Sequence, residues 1–267
     1  MTPTLSVVVP TLNSETYLPF TLAALRYHTG PPTEIIVVDS GSRDSTQEIC
    51  RSAGLEPLYA PPGNMYHAIN VGLQNAKGTW CTYLNSDDLV FRDGYPRLIE
   101  QGERQGADVA YGNCDFIDGA NCFLFSFRAP ARPLIGPILS AGIMPFAQPA
   151  TVLRRSCLTD PVFDCRYRHF ADRDLFTRLH AAGQKFARVE GRSVVAFRIH
   201  GAQISHTDRS GVLRDRALSR GTRMPYDVWR SWLAVARWRL SNFPEYAVRL
   251  IRRYRDGAGL SISFDRH

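Results

Sequence analysis

The run Thr82-Tyr83-Leu84-Asn85-Ser86-Asp87-Asp88 ends an apolar, β-prone stretch in two adjacent carboxylates. Adjacent acids repel each other, and both lose solvation if buried, so stability alone gives no reason to place them at a strand end. A cation does. Hard divalent ions such as Mn²⁺ or Mg²⁺ take oxygen ligands and usually keep a substrate phosphate beside them. The alternative is a solvated turn with a helix N-cap, positions that Ser and Asp favour.

The elements around this pair suggest what positions it. Leu5–Val9 is a β-branched run closed by Pro10, and a helix is predicted from about Thr16 to His28. Glu34–Val38 is a second apolar strand, ending at Asp39-Ser40-Gly41-Ser42. Asp44 starts a predicted helix, with Gln47 three residues later as a capping box. A short strand near Pro57–Tyr59, a helix over Met65–Ala76 and a strand over Trp80–Leu84 follow. Strands alternating with helices predict a mostly parallel sheet with right-handed crossovers. In such a sheet ligands bind at the carboxyl edge of the strands. Thr11, Asp39 and Asp87-Asp88 all lie just past strand ends, so they should converge in space.

Regularity drops after about residue 107. Strands are predicted at Asp108–Gly112, Cys122–Phe127, Lys185–Val189 and Ser193–Ile199, and a helix at Arg173–Ala182. Ala129–Pro149 reads as a long loop rich in Pro and Gly. No Gly-x-Gly-x-x-Gly follows the first strand, which weakens a dinucleotide-binding alternative.

The chain has 267 residues, 44% hydrophobic and 21% charged, room for one large α/β domain or two small ones. No apolar run reaches the roughly 18 residues that span a bilayer, and no basic leader precedes the first strand, so a signal peptide is not expected. The six cysteines lack Cys-x-x-Cys spacing, and most sit among apolar neighbours; buried thiols in a reducing cytoplasm are expected and a zinc site is not. The net charge of +7 is concentrated. Residues 208–267 carry 13 arginines and no lysine against 6 acids, which leaves residues 1–207 balanced. A neutral body with a basic tail points to an anionic partner. Trp229, Trp232, Leu233 and Ala236 form one helical stripe in the tail, and Ala247, Val248, Ile251 and Tyr254 another. These apolar residues favour an anionic membrane surface over nucleic acid, with core packing as the alternative.

The ordered motifs resemble the family 2 glycosyltransferases, which have the GT-A fold and use nucleotide-diphosphate sugars. The resemblance covers roughly residues 4–205. It runs through Val7-Val8-Val9-Pro10-Thr11-Leu12-Asn13, Ile36-Val37-Val38-Asp39-Ser40-Gly41-Ser42, Tyr66-His67-Ala68-Ile69-Asn70 and Leu84-Asn85-Ser86-Asp87-Asp88. It continues through Tyr111-Gly112-Asn113, Phe163-Asp164, Ala171-Asp172-Arg173-Asp174 and Phe197-Arg198-x-His200.

What the resemblance implies is specific. The fold would be α/β and GT-A-like, with a mostly parallel Rossmann-type sheet flanked by helices and a C-terminal helical extension. Residues 1–207 would be the transferase domain, with a nucleotide-sugar-binding half (1–112) and an acceptor-binding half (113–207), and 208–267 the basic extension. Asp39 would bind the nucleotide base, with Thr11 nearby and Asn70 in the donor site. Asp87 would contact ribose or metal, Asp88 would be the main ligand of Mn²⁺ or Mg²⁺, and His200 would reach the metal or diphosphate from the far side. Asp172 would be the catalytic base, with Asp174 as the alternative. Asn85 departs from the family's usual first acid, and Gln148-Pro149 stands where relatives often have a histidine. The expected activity is inverting transfer from a nucleotide donor, UDP-linked, to a glycan or lipid-linked glycan in surface-polysaccharide assembly. The enzyme would be cytoplasmic and peripheral at the inner membrane face. Two alternatives stand beside this: an inactive GT-A domain that senses nucleotide sugars or serves as a partner subunit, and a nucleotidyltransferase, whose glycine-rich basic loop after the first strand is missing here.

Overall fold

A computed structural model describes residues 3–28, 30–201, 209–219, 226–247 and 251. Seven strands form the main sheet: β1 (Leu5–Thr11), β2 (Thr33–Asp39), β3 (Leu58–Tyr59), β4 (Trp80–Tyr83), β6 (Val109–Tyr111), β9 (Thr151–Arg154) and β10 (Phe186–Arg188). Their order is β10-β6-β9-β4-β1-β2-β3. All neighbours are parallel except β9, which runs antiparallel to β4 and β6. A second sheet has the order β5-β11-β7-β8, from β5 (Leu89–Val90), β7 (Cys114–Asp118), β8 (Phe123–Phe127) and β11 (Val195–Ile199).

The main sheet is covered on both faces, which is why its strands read as continuous apolar runs. Leu5, Val7 and Val9 of β1 enter one core, while Val8 enters the other. The first core includes α1 (Leu18–Tyr27) and α4 (Gly94–Gln105), and the second includes α3 (Met65–Asn75) and α6 (Ala171–Ala181). A Cβ on Gly72 would lie 2.3 Å from a Val8 methyl carbon, so this glycine lets α3 approach β1. It positions the helix and has no room to bind anything.

The structure departs from the sequence reading at several points. The helix α2 spans Thr46–Ser52; Ser45 does not cap it, but Asp44 accepts the Thr46 backbone N–H at 3.0 Å. Gln47 makes no capping box, because its amide donates to Asp39. The helix α4 and the strands β7 and β9 were not expected, and the predicted loop over 129–149 contains the helix α5 (Ile135–Ser140). Of the six free cysteines, Cys50, Cys81 and Cys114 are buried, but Cys122 and Cys165 are exposed.

Two tail helices, α7 (Arg209–Ser219) and α8 (Val228–Ser241), dock on the body. The Trp238 indole N–H donates to the Arg128 carbonyl at 2.8 Å, and Asp215 is buried against residues 168–170. The first predicted stripe does not pack inward: Ser231, Ala234, Val235 and Trp238 do, and Trp229, Trp232 and Leu233 face out. The second stripe lies largely outside the described residues. Among the described residues, no helix is long and apolar enough to cross a membrane.

Candidate active site

Thr11 and Asp39 end β1 and β2 as register partners. The Thr11 hydroxyl donates to Asp39 Oδ1 at 3.0 Å. The Ser42 hydroxyl donates to the same oxygen. Asp39 Oδ2 accepts the backbone N–H groups of Gly41 and Ser42 at 3.2 and 3.0 Å and the Gln47 amide at 3.0 Å. Gly41 has φ +84°, a left-handed conformation that lets the loop fold back over the carboxylate. Burial pushes the Asp39 pKa up, but the hydrogen bonds from Ser42, Gln47 and Thr11 outweigh it and hold the carboxyl below its ordinary value. Asp39, Gln47, Arg51, Leu58 and Tyr59 line a cavity of about 140 Å³.

The paired acids meet different partners. Asp88 is fully buried, and its Oδ1 accepts the Arg198 backbone N–H at 2.8 Å while its Oδ2 accepts the Asn85 amide at 3.3 Å. Burial first, and the Asp87 charge second, push its pKa well above the carboxylate range. Asp88, expected as the main metal ligand, is thus turned into the protein and ties the acid turn to β11. Asp87 meets the ring of His200, with Oδ2 2.8 Å from Nε2. Arg198 is fully buried; its Nε donates to the Asp87 carbonyl at 2.7 Å, and its guanidinium lies over the Tyr17 ring, 4.5 Å from the centroid. From α1, the Thr21 hydroxyl lies 2.9 and 2.8 Å from the carbonyls of Ser86 and Asp88. The turn is therefore held from both sides, and Asp87 and His200 are presented together.

A third group stands on the second-core side of β4. Asp172, in the first turn of α6, accepts the Tyr83 hydroxyl on Oδ1 at 2.7 Å and the Tyr66 hydroxyl on Oδ2 at 3.3 Å. It is half-buried, and burial raises its pKa to about 6 against the pull of the two hydroxyls. Asp174, the alternative base, pairs with Arg178 at 2.7 Å along its own helix.

Asn70, expected in the donor site, is buried and taken up elsewhere. Its amide donates to the Phe163 carbonyl at 2.8 Å, and its carbonyl accepts the Phe163 N–H at 2.9 Å. The Phe163 ring packs against Tyr66 and Tyr83, with centroids 5.4 and 5.5 Å away. Asn70 thereby positions the two tyrosines that hold Asp172.

Several contributors escaped the sequence reading. Tyr66, Tyr83 and Arg198 were quoted within motifs or elements but given no role. Asp215 was counted as one more tail acid, yet its Oδ2 accepts three backbone N–H groups, from Arg168, His169 and Phe170, at 2.8, 2.7 and 3.1 Å. Those residues lead into α6 and so into Asp172. Gln148 donates to the Tyr83 carbonyl at 3.1 Å, and the buried side-chain oxygens of both Gln148 and Asn85 have no hydrogen-bond partner among the described residues.

Whether a divalent ion fits can be judged from the donor set. Among the described residues, no three His, Cys, Asp or Glu side chains cluster as metal ligands. Asp87 and His200 supply one carboxylate and one imidazole side by side. An ion that completes its shell with substrate phosphate oxygens and water needs no more from the protein.

Known proteins resemble this chain in sequence and in fold. GlyA, a glycosyltransferase of Streptococcus pneumoniae, is 34% identical over 127 residues, 45% of this chain and 18% of its own length. GlyG of the same organism is 34% identical over 119 residues, so the chain spans less than half the length of either relative. An uncharacterised glycosyltransferase of Rickettsia prowazekii is 26% identical over 219 residues, 77% of this chain and 67% of its own length. Staphylococcus aureus TarS 1–349 in complex with UDP-GlcNAc superimposes with a TM-score of 0.66 at 18% identity, over 90% of this chain and 72% of that one. Glucosyl-3-phosphoglycerate synthase from Mycobacterium tuberculosis, in complex with Mn²⁺, UDP and glucosyl-3-phosphoglycerate, gives 0.58 at 19% identity, over 81% and 78%. The fold is of the GT-A type. The sequence profile of glycosyl transferase family 2 matches residues 6–157, and the chain belongs to that family.

Proposed function

We propose that the protein transfers a sugar, with inversion, from a nucleoside-diphosphate donor to a hydroxyl of a glycan or lipid-linked glycan. The observation that carries this reading is Asp172. A carboxylate with a pKa near 6, held by two tyrosine hydroxyls beside the strand that delivers Asp87, is suited to take a proton near neutral pH. In the step, the acceptor oxygen bonds to the anomeric carbon, the bond from that carbon to the diphosphate breaks, and the acceptor proton passes to a carboxylate oxygen of Asp172. One base on the face opposite the leaving group suffices for inversion.

The donor is best read as UDP-linked, since TarS and the phosphoglycerate synthase were both solved with UDP or a UDP-sugar. Its base would enter the cavity beside Asp39. There a ring N–H would replace the Gln47 amide, the donor to Asp39 carried on the longest side chain. Asp87 and His200 would hold Mn²⁺ or Mg²⁺, which would supply charge neutralisation for the departing diphosphate. Asp88 is assigned to the architecture of the turn. Six free thiols fit a reducing cytoplasm.

The test is UDP release from a panel of UDP-sugars with oligosaccharide and polyprenyl-linked acceptors. Wild type should turn over, and Asp172→Asn should lose on the order of 10²–10⁴-fold in kcat with donor affinity kept. Full activity of Asp172→Asn would end this reading. Donor binding without turnover on any acceptor would favour the inactive sensor, the reading that Asn85 in place of an acid supports.

A further inference from the structure

We infer that the outward face of α8 is a docking surface for an anionic lipid bilayer. The helix has two apolar faces. Ala234, Val235 and Trp238 pack on Ile138 and its neighbours around α5. The opposite face is open: Trp229 is 62% exposed, Trp232 55%, Leu233 61% and Leu240 73%. At 3.6 residues per turn these four and Ala236 form one continuous stripe from Trp229 to Leu240, about 18 Å of the helix. Phe243 extends it at the C-terminal end and is exposed. A stripe of this size costs solvation in water and calls for a cover.

The charges around the stripe choose the cover. Arg230 and Arg237 fall along one margin and Arg239 along the other, and residues 228–241 contain no acid. A central band of Trp and Leu flanked by arginine on both margins is the pattern of a helix lying in a membrane interface. There the rings enter the acyl boundary and the guanidinium groups reach anionic headgroups. A second copy of the chain fits poorly, since face-to-face pairing would set arginine margins against arginine margins. The excess of arginine across residues 208–267 adds to the same attraction. The inner face fixes the orientation. Trp238 and Asn242 hydrogen-bond the Arg128 backbone, and Arg128 pairs with Glu245 at 2.5 Å, so α8 is fastened to the strand β8 and the segment after it. Docking would set the segment around Arg128 and α5 behind α8, about a helix diameter from the bilayer. The proposal stands apart from the catalytic reading, because its test measures binding.

The experiment is co-sedimentation of the full chain with vesicles of phosphatidylcholine alone or with about a third phosphatidylglycerol, at low and high salt. Trp80 and Trp238 are buried, so quenching by brominated acyl chains reports on Trp229 and Trp232. Three basic residues near the headgroups give roughly a hundred-fold preference for anionic vesicles at low salt, largely lost at high salt. Trp229→Ser with Leu233→Ser and Leu240→Ser should abolish binding and quenching while far-ultraviolet dichroism is unchanged, since these side chains leave the core untouched. Arg230→Gln with Arg237→Gln and Arg239→Gln should keep weak binding but lose the anionic preference. Equal binding to both vesicles, no binding, or binding indifferent to the serine substitutions would overturn the proposal. So would a wild-type dimer that the serine substitutions dissolve, because the cover would then be a second copy.

Discussion

Tyr83→Phe should move the acid limb of the pH–activity profile upward. The Tyr83 hydroxyl donates to Asp172 at 2.7 Å, and burial together with the Asp172 charge keeps the phenol protonated far above neutral pH. It is therefore a constant donor to the ionised carboxylate. A hydrogen bond to a charged group contributes about 1.5–3 kcal/mol, and each pKa unit corresponds to about 1.4 kcal/mol, so its loss should raise the Asp172 pKa by roughly 1–2 units. The starting value is about 6. A base works only when ionised, so activity falls as pH drops through the pKa. In the variant that fall should begin between about pH 7 and 8. At pH 6, where about half the wild-type carboxylate is ionised, the variant would retain roughly 1–10%, a 5–50-fold loss. Above pH 8.5 the two enzymes should converge, since the base itself is intact. The assay is kcat/KM from UDP release between pH 5 and 9. Tyr66→Phe is the internal control: its bond is longer, 3.3 Å, and its shift should be smaller. An unmoved acid limb in Tyr83→Phe, or a larger shift in Tyr66→Phe, would refute the assignment of Asp172 as the titrating base.

Asp172→Asn should also stabilise the fold. The folded pKa of about 6 exceeds the ordinary 3.8, so the fold disfavours the charged form by roughly 3 kcal/mol; this penalty is complete above pH 6 and fades as pH falls towards 4. Thermal unfolding should show the variant ahead of wild type at pH 7.5 and level with it at pH 4. Asp87→Ala should abolish stimulation by Mn²⁺ or Mg²⁺ with little change in Tm. Asp88→Ala should lower stability by about 1–3 kcal/mol, because the buried Arg198 N–H loses its acceptor; the reverse pattern, read by metal titration and thermal melts, would restore Asp88 as the ligand. Asp215→Ala removes the acceptor of three backbone N–H groups ahead of α6, so kcat should fall while UDP affinity measured by calorimetry stays within about two-fold.

Much of the donor half was legible because its signals are local. Leu5–Val9 and Glu34–Val38 are continuous apolar runs, as strands covered on both faces must be, and Gly and Pro punctuate the helices between them. The resemblance to the family begins in the same segments and runs on to about residue 205, and the family match covers residues 6–157. The other half was read less well. The α4 pattern Tyr95, Leu98, Ile99, Gly102 has helical spacing, but Pro96 and two glycines mask it. The strands β7 and β9 are five and four residues long and carry polar positions, so they pass for loop. The alternation of α8 was visible, yet which of its two apolar stripes would pack depended on α5, a six-residue helix hidden in a stretch rich in Pro and Gly.

The site shows the same division at finer scale. That Thr11, Asp39 and Asp87 would meet at one sheet edge follows from parallel topology, which alternation of elements reveals. The direction in which each carboxylate faces does not follow. Asp87 and Asp88 are neighbours in sequence, but one meets His200, 113 residues on, and the other meets the Arg198 backbone, 110 residues on. The strand β11 and its end decide between them: Arg198 in the strand presents a backbone N–H to one acid, and His200, just past the strand, a ring to the other. Asn70 and Asp215 make the converse point. Each has the composition of a site residue, each is buried, and each is used up on backbone groups of the segment that carries Phe163 or leads into α6. The polar residues around Asp172 therefore form two shells with different tests. Tyr66 and Tyr83 touch the carboxylate and must alter its titration. Asp215 acts through the position of α6 and must alter kcat without moving the pKa, whereas Asn70 acts through the two tyrosines and must move both.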